Sequence, residues 1–302
     1  MKKILYTLMF LLTMGTLAQA QLKPDQRTVT TRIADLLLTL PARDAKQLNA
    51  GMEEIGNLGS AGIQQMIGMF LPVGKGDNSR LQYAINGFSY YVTQPGKDEW
   101  RKMGTSAYIA SLEKMSDLEN KRFIISQLLI VGKDDAVAAL SKYLTDENLS
   151  DPAAQALVKV KSLKANQALL QALQNSNGAS QLSIIKALGD SQYTDAAKPI
   201  SALVGKGDSK QDKVALDALA NIADPSSESV LAHAAEKAGF KYDVSNATSA
   251  YLVYTQNLAT KGNKVMAEHL VQNLHKKSTG DTRISALKIL TDINGAKSNP
   301  LL

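Results

Sequence analysis

One phrase recurs along this chain, and it limits the fold more than any other feature. From about residue 118 an apolar helix end, a small residue or glycine, a capping residue type and a second amphipathic stretch return in that order. With an apolar residue near the end of each first helix as anchor, the series runs Leu128, Leu157, Ile185, Leu219, Leu252 and Leu287. The steps are 29, 28, 34, 33 and 35 residues. A mean near 32 residues is the length of one helix pair in a stacked-helix solenoid.

Five residues past the anchors stand Ser162, Asp190, Asp224, Asn257 and Asp292, with Asp134 at six. Each type can accept a hydrogen bond from the open amides at a helix start. One per turn is what capping needs, so we read the series as caps and not as a ladder of ligand carboxylates. Asn257 fits least, because its apolar pattern runs on to about Lys261. Asp151-Pro152 and Asp224-Pro225 read as a cap before a first-turn proline, and Ser116 with Glu119 as a capping box. Second helices show apolar spacings of three and four at Val137, Leu140 and Leu144, at Leu169, Leu170 and Leu173, at Ile200 and Leu203, and at Met266, Leu270 and Leu274. No strand alternation competes, and aromatics are only 5% of the chain, fewer than β-sandwich strands favour. The expected fold is all-α, an α-solenoid or superhelix of helix pairs over 118–302.

Upstream, 21–117 is looser. Helices are expected at Ile33 to Leu40, closed by Pro41, then after an Asp44 cap, at Ser60 to Leu71, around Leu81 to Val92, and from Lys97 to Met115, with Pro95-Gly96 as a break. This is a divergent helical unit, either two repeats or a cap for the end of the array. Residues 1–20 read as an export signal: Lys2 and Lys3, an apolar run from Ile4 to Met14, then Ala18-Gln19-Ala20. That run is too short to span a bilayer comfortably and no later segment reaches about eighteen apolar residues, so no membrane span is expected. Removing the signal takes the net charge from +6 to +4, too little to suggest a nucleic-acid partner. The expected location is periplasmic or extracellular, and with no cysteine at a mature N-terminus the protein is not a lipoprotein. After the helix from Asp281 to Ile293 the sequence ends at Pro300-Leu301-Leu302. The last repeat is therefore expected to be incomplete, and the chain part of a longer repeat protein whose open face associates.

The stretches "NKRFIISQLLIVGKDDAVAALSKYL", "IIKALGDSQYTDAAKPISAL" and "VALDALANIADPSSESVLAHAA" resemble HEAT-like repeats of the phycobilisome-lyase type. Met52 through Ala223, including "GKGDNSRLQYAINGFSYYVTQPGK", is similar to the N-terminal region of large exported proteins of the Bacteroidota. In those proteins a domain of unknown function 1080 often follows, a β-sandwich linked to 3-keto-glycoside hydrolysis. The resemblance implies a setting of glycan processing in which this chain is the helical, armadillo-like part. It carries no catalytic residue onto any position here.

Chemistry-bearing patterns are sparse. With no cysteine there is no disulfide framework, thiolate metal site or thiol nucleophile, and His233, His269 and His275 are the only histidines. The string GKGD at Gly74 to Asp77 and at Gly205 to Asp208 lacks the glycine spacing and Ser/Thr of a phosphate loop. Ser111 with Lys114, Ser183 with Lys186 and Ser285 with Lys288 match S-x-x-K without the further elements of penicillin-binding enzymes. No catalytic residue, metal or cofactor is expected.

One cluster stands out for binding. Phe88, Tyr90, Tyr91 and Trp100 gather aromatics around Pro95-Gly96, with Tyr242, Tyr251 and Tyr254 a weaker second group. Flat rings stack on sugars and make protein hot spots, but they also pack cores. Two functions follow as expectations. The first is a non-catalytic exported scaffold whose stacked second helices offer a concave surface to a protein or peptide. The alternative is a helical accessory part of a glycan-processing hydrolase, contacting carbohydrate or a downstream catalytic domain.

Overall fold

The computed structural model describes residues 27–295; the export-signal pattern of 1–20 and the terminal Pro300-Leu301-Leu302 lie outside them. Within the described residues there are fifteen α-helices, two short 3-10 turns and no strand.

Local sequence explains how each helix starts and stops. In α11 (Ser209–Ile222) the Asp208 side chain accepts from Gln211 N, and Ala215, Leu216, Ala218, Leu219 and Ile222 form the buried stripe. The helix ends where Ala223 turns left-handed at φ 48° and hands the chain to Asp224. Asp224 accepts from Ser226 N with Pro225 in the first turn, as the sequence suggested. Ser162 caps α8 (Leu163–Leu173) through Ala165 N, and Asp44 caps α2 (Ala45–Gly68) through Gln47 N.

The remaining helices are α1 (Val29–Leu38), α3 (Ser79–Tyr91), α4 (Asp98–Leu112), α5 (Leu118–Val131), α6 (Asp134–Ser141), α7 (Ser150–Val160), α9 (Gly178–Asp190), α10 (Ala197–Ser201), α12 (Glu228–Lys237), α13 (Ala247–Thr260), α14 (Lys264–Lys277) and α15 (Gly280–Asn294). Odd-numbered helices pack on odd-numbered neighbours, and each also packs on the even-numbered helix beside it. Two layers result, a layer of first helices and a layer of second helices, stacked along one axis. The molecule is an α-solenoid.

The same alternation runs through the N-terminal helices, where α1 packs on α3, α2 on α4 and α3 on α5. The two helices expected here are present as two segments of α2: Gly59, with φ 71° and ψ −178°, leaves the helical conformation and kinks the chain just before Ser60. Glycine tolerates that angle because it lacks a β-carbon.

The side of close packing changes along the array. Between α2 and α4 it is the second helices that meet closely, with Trp100 lying against Gly56. From α5 to α13 successive first helices lie along one another. There the second helices meet only at short stretches, α6 on α8 and α10 on the turn 225–227. Two of these second helices are short, α6 with 8 residues and α10 with 5.

The anchors Leu128, Leu157, Ile185 and Leu219 are completely buried. Leu252 is only partly buried, because the buried stripe of α13 runs through Tyr251, Tyr254 and Leu258 instead. In α15 the buried residues are Ala286, Ile289 and Leu290 rather than Leu287.

Candidate binding face

The exposed side of the first helices carries a polar strip, repeated from helix to helix because the opposite side of each is committed to the core. On α7, Gln155 Nε2 donates to Asp151 Oδ2 at 2.7 Å. On α9, Lys186 Nζ meets Asp190 at 2.7 Å, and on α11 Lys213 Nζ meets Asp217 at 2.6 Å. All three are pairs four residues apart, one turn of helix. The strip on α13 has no charge: Asn246, Ser249, Val253 and Gln256. Asn246 Nδ2 reaches back to Asp217 Oδ1 at 3.3 Å, tying α13 to α11.

Two troughs cross this face. One of about 210 Å³ lies between α7 and α9, with Val158 and Ala187 at its base. The other, about 440 Å³, runs over α9, α11 and α13 past Val214, Ala218 and Val253. Beneath them α11 and α13 are bonded side chain to backbone. Asn257 Nδ2 donates to Ala220 O at 2.9 Å, Lys261 Nζ to Ile222 O at 2.6 Å, and Tyr254 OH to Asp224 O at 3.0 Å. Burial lowers the Lys261 pKa and raises those of Tyr251 and Tyr254. These groups hold the ends of α11 in register with α13, which fixes the spacing of the trough.

The carboxylate series therefore divides into several roles. Ser162 and Asp224 are caps. Asp190 is the last residue of α9 and pairs with Lys186, Asn257 lies inside α13, and Asp292 lies inside α15. Asp134 begins α6 without a side-chain cap bond, while Asp135 accepts from Lys133 N at 3.0 Å. Asp117, not Ser116, caps α5, accepting from Asn120 N, and Glu119 pairs with Arg122. Asp151 sits in the first turn of α7 rather than before it. In the two GKGD strings, Gly74 and Gly205 take positive φ values of 80° and 75° to turn the chain, and Asp208 caps α11.

The first aromatic cluster does not form a shared exposed surface. Phe88 is completely buried, and Tyr91 is 6% exposed with its hydroxyl donating to Glu53 Oε1 at 2.9 Å. Trp100 is partly buried, its ring centroid 6.2 Å from that of Tyr91. A β-carbon at Gly56 would stand 2.8 Å from the indole. Lys97 Nζ lies 4.0 Å from the Tyr91 ring centroid. Only Tyr90, 60% exposed, faces solvent freely. The rings were drawn together by the need to fill the N-terminal pairs, whose small residues Gly56 and Gly104 leave room for them. In the second group Tyr251 and Tyr254 stack in the core at 6.3 Å, and Tyr242 stands out on the loop after α12.

A third groove, about 730 Å³, opens in the second-helix layer between α10 and α12, lined by Val204, Leu216, Val230, His233, Lys237 and Val244. Its signal in the sequence is the shortness of the apolar stretch around Ile200. Among the described residues no group of three or more His, Asp or Glu is placed to hold a metal ion, and no helix is long and apolar enough to cross a membrane.

The class defined by this geometry is an α-solenoid with a repeating polar face. No protein-family model and no curated protein matches the chain. Among solved structures it is similar to an engineered protein, 17% identical over 88% of this chain and 82% of that one, with a TM-score of 0.39. A chain from a structure concerned with a phosphorylation switch controlling the interaction between cadherin and beta-catenin is 12% identical, with a TM-score of 0.40. The alignment covers 91% of this chain but 62% of that one. A computationally designed self-assembling cyclic homo-oligomer is 17% identical over 90% of this chain, with a TM-score of 0.17.

Proposed function

We propose that this chain is a non-catalytic scaffold, exported by its leader-like N-terminus, that binds a protein or peptide along the first-helix face between α7 and α13. The observation that carries the reading is the run of polar strips on consecutive helices, crossed by two troughs. A solenoid offers an extended surface built from one strip per repeat, and small contributions add along it. The accessory reading, with carbohydrate stacked on Phe88, Tyr90, Tyr91 and Trp100, has less support, because three of those four rings are occupied by packing.

Photo-crosslinking in the cells that make the protein tests this reading. A crosslinking residue at Val253, on the first-helix face, should capture a defined partner, while one at Val265, 85% exposed on second-layer α14, should not. Capture from Val265 alone, or equally from both, would refute it.

A further inference from the structure

Resting on that reading, we propose that the occupant of the first-helix face is an extended, nearly neutral polypeptide segment with small aliphatic side chains.

Charge supports the first half. Lys186 and Lys213, which line the troughs, each already contact a carboxylate of their own helix, and Asp151 accepts from Gln155. The two ion pairs each cancel within a few ångströms. Asp151, whose partner Gln155 is neutral, leaves a single negative charge at the α7 end, so only a weak net field extends over the face to gather a charged partner. A charged side chain arriving here gains from one member of a pair what it loses to the other. The trough bases are short and apolar, with Val158 and Ala187 in one and Val214, Ala218 and Val253 in the other. They match small aliphatic side chains by size and by polarity.

Hydrogen-bonding capacity supports the second half. Asn221 and Ser249 line the larger trough, and neither side chain has a bonding partner among the described residues. An extended segment presents free N–H and C=O groups that such amides and hydroxyls can pair. An α-helix has satisfied its own backbone groups and leaves them unmatched.

Selection from a phage library of random, unstructured segments against the purified full chain tests the proposal. Segments of about twelve residues reach ~40 Å when extended, enough to cross α7 to α13. The enriched peptides should carry a net charge near zero and small aliphatic residues. Measured by fluorescence anisotropy, their affinity should change less than about twofold between roughly 50 and 300 mM salt. Val253→Arg and, separately, Ser249→Glu should each weaken binding about tenfold or more while leaving the unfolding midpoint in place, since both sites are exposed. Enrichment of strongly charged peptides, of peptides that turn helical on binding, or of none at all would overturn the proposal. If charged peptides bind and Val253→Arg abolishes that binding, the chemistry proposed here is wrong but the face is right. If neutral peptides bind regardless of both variants, the face itself is wrong.

Discussion

Gly189 of α9 faces the backbone of Ala218 of α11 so closely that a β-carbon on Gly189 would come within 2.7 Å of the Ala218 Cα. Both residues sit in the layer where first helices pack along one another, and their contact sets how near α9 and α11 can come. Gly→Ala in a helix ordinarily stabilises by roughly 0.5–1 kcal/mol. At Gly189 the collision is with main chain, which cannot swing aside, and overpacking of this kind costs about 1–3 kcal/mol. Gly189→Ala should therefore lower stability in urea unfolding. Gly68→Ala, where nothing lies within 4 Å of the new methyl, should leave it unchanged or raise it by up to about 1 kcal/mol.

Asp208 and Asp190 are the same residue type near helix boundaries, yet they should respond differently to alanine. Asp208 accepts the Gln211 amide at 2.8 Å, and losing a cap costs about 1 kcal/mol. Asp190 only pairs with Lys186 at the surface, so Asp190→Ala should change the unfolding free energy by less than about 0.5 kcal/mol. Equal losses at the two sites would show that Asp190 is a structural residue after all.

In the aromatic cluster, Trp100→Ala should cost about 2–3 kcal/mol by removing the ring that covers Gly56. Tyr90→Ala should stay within about 0.5 kcal/mol, because that ring is mostly in solvent. A thermal melt of each variant, with a glycan array on Tyr90→Ala, separates packing from binding.

Hydrogen bonds from Arg101 first, then from Lys133 and Lys102, hold the Asp98 carboxyl well below the usual carboxylate range. A depressed folded-state pKa adds stability above the unfolded value and loses it as the pH falls toward the folded one. The melting difference between the parent chain and Asp98→Asn should thus be constant at neutral pH and shrink below about pH 4. A difference that grows on acidification would contradict the assigned bonds.

Much of the architecture was legible because it depends on short-range rules. Apolar residues three and four apart fixed the helices, and Ser162, Asp224 and Asp44 announced helix starts because capping is a contact within three residues. The same rule misled at Asp190 and Asp292, where the right residue type follows the apolar anchor but the helix has not yet ended or has no further use for a cap. The aromatic cluster was visible as a cluster, but nothing local told a buried ring from a presented one. That depends on Gly56 and Gly104, which meet Trp100 and Phe88 only once α2, α3 and α4 are stacked.

By itself, then, the sequence determined an all-helical chain with a helix-pair period and where most of its helices lie, since periodicity and capping act within a turn or two of the chain. Only the tertiary structure decided which layer packs closely from repeat to repeat, and with it which polar residues form a common face. Those choices depend on distances between helices about 30 residues apart, set by Gly189 against Ala218 and by Asn257, Lys261 and Tyr254 reaching back to α11. No pattern within one helix encodes that spacing, because it comes from the volumes of side chains that meet only after folding.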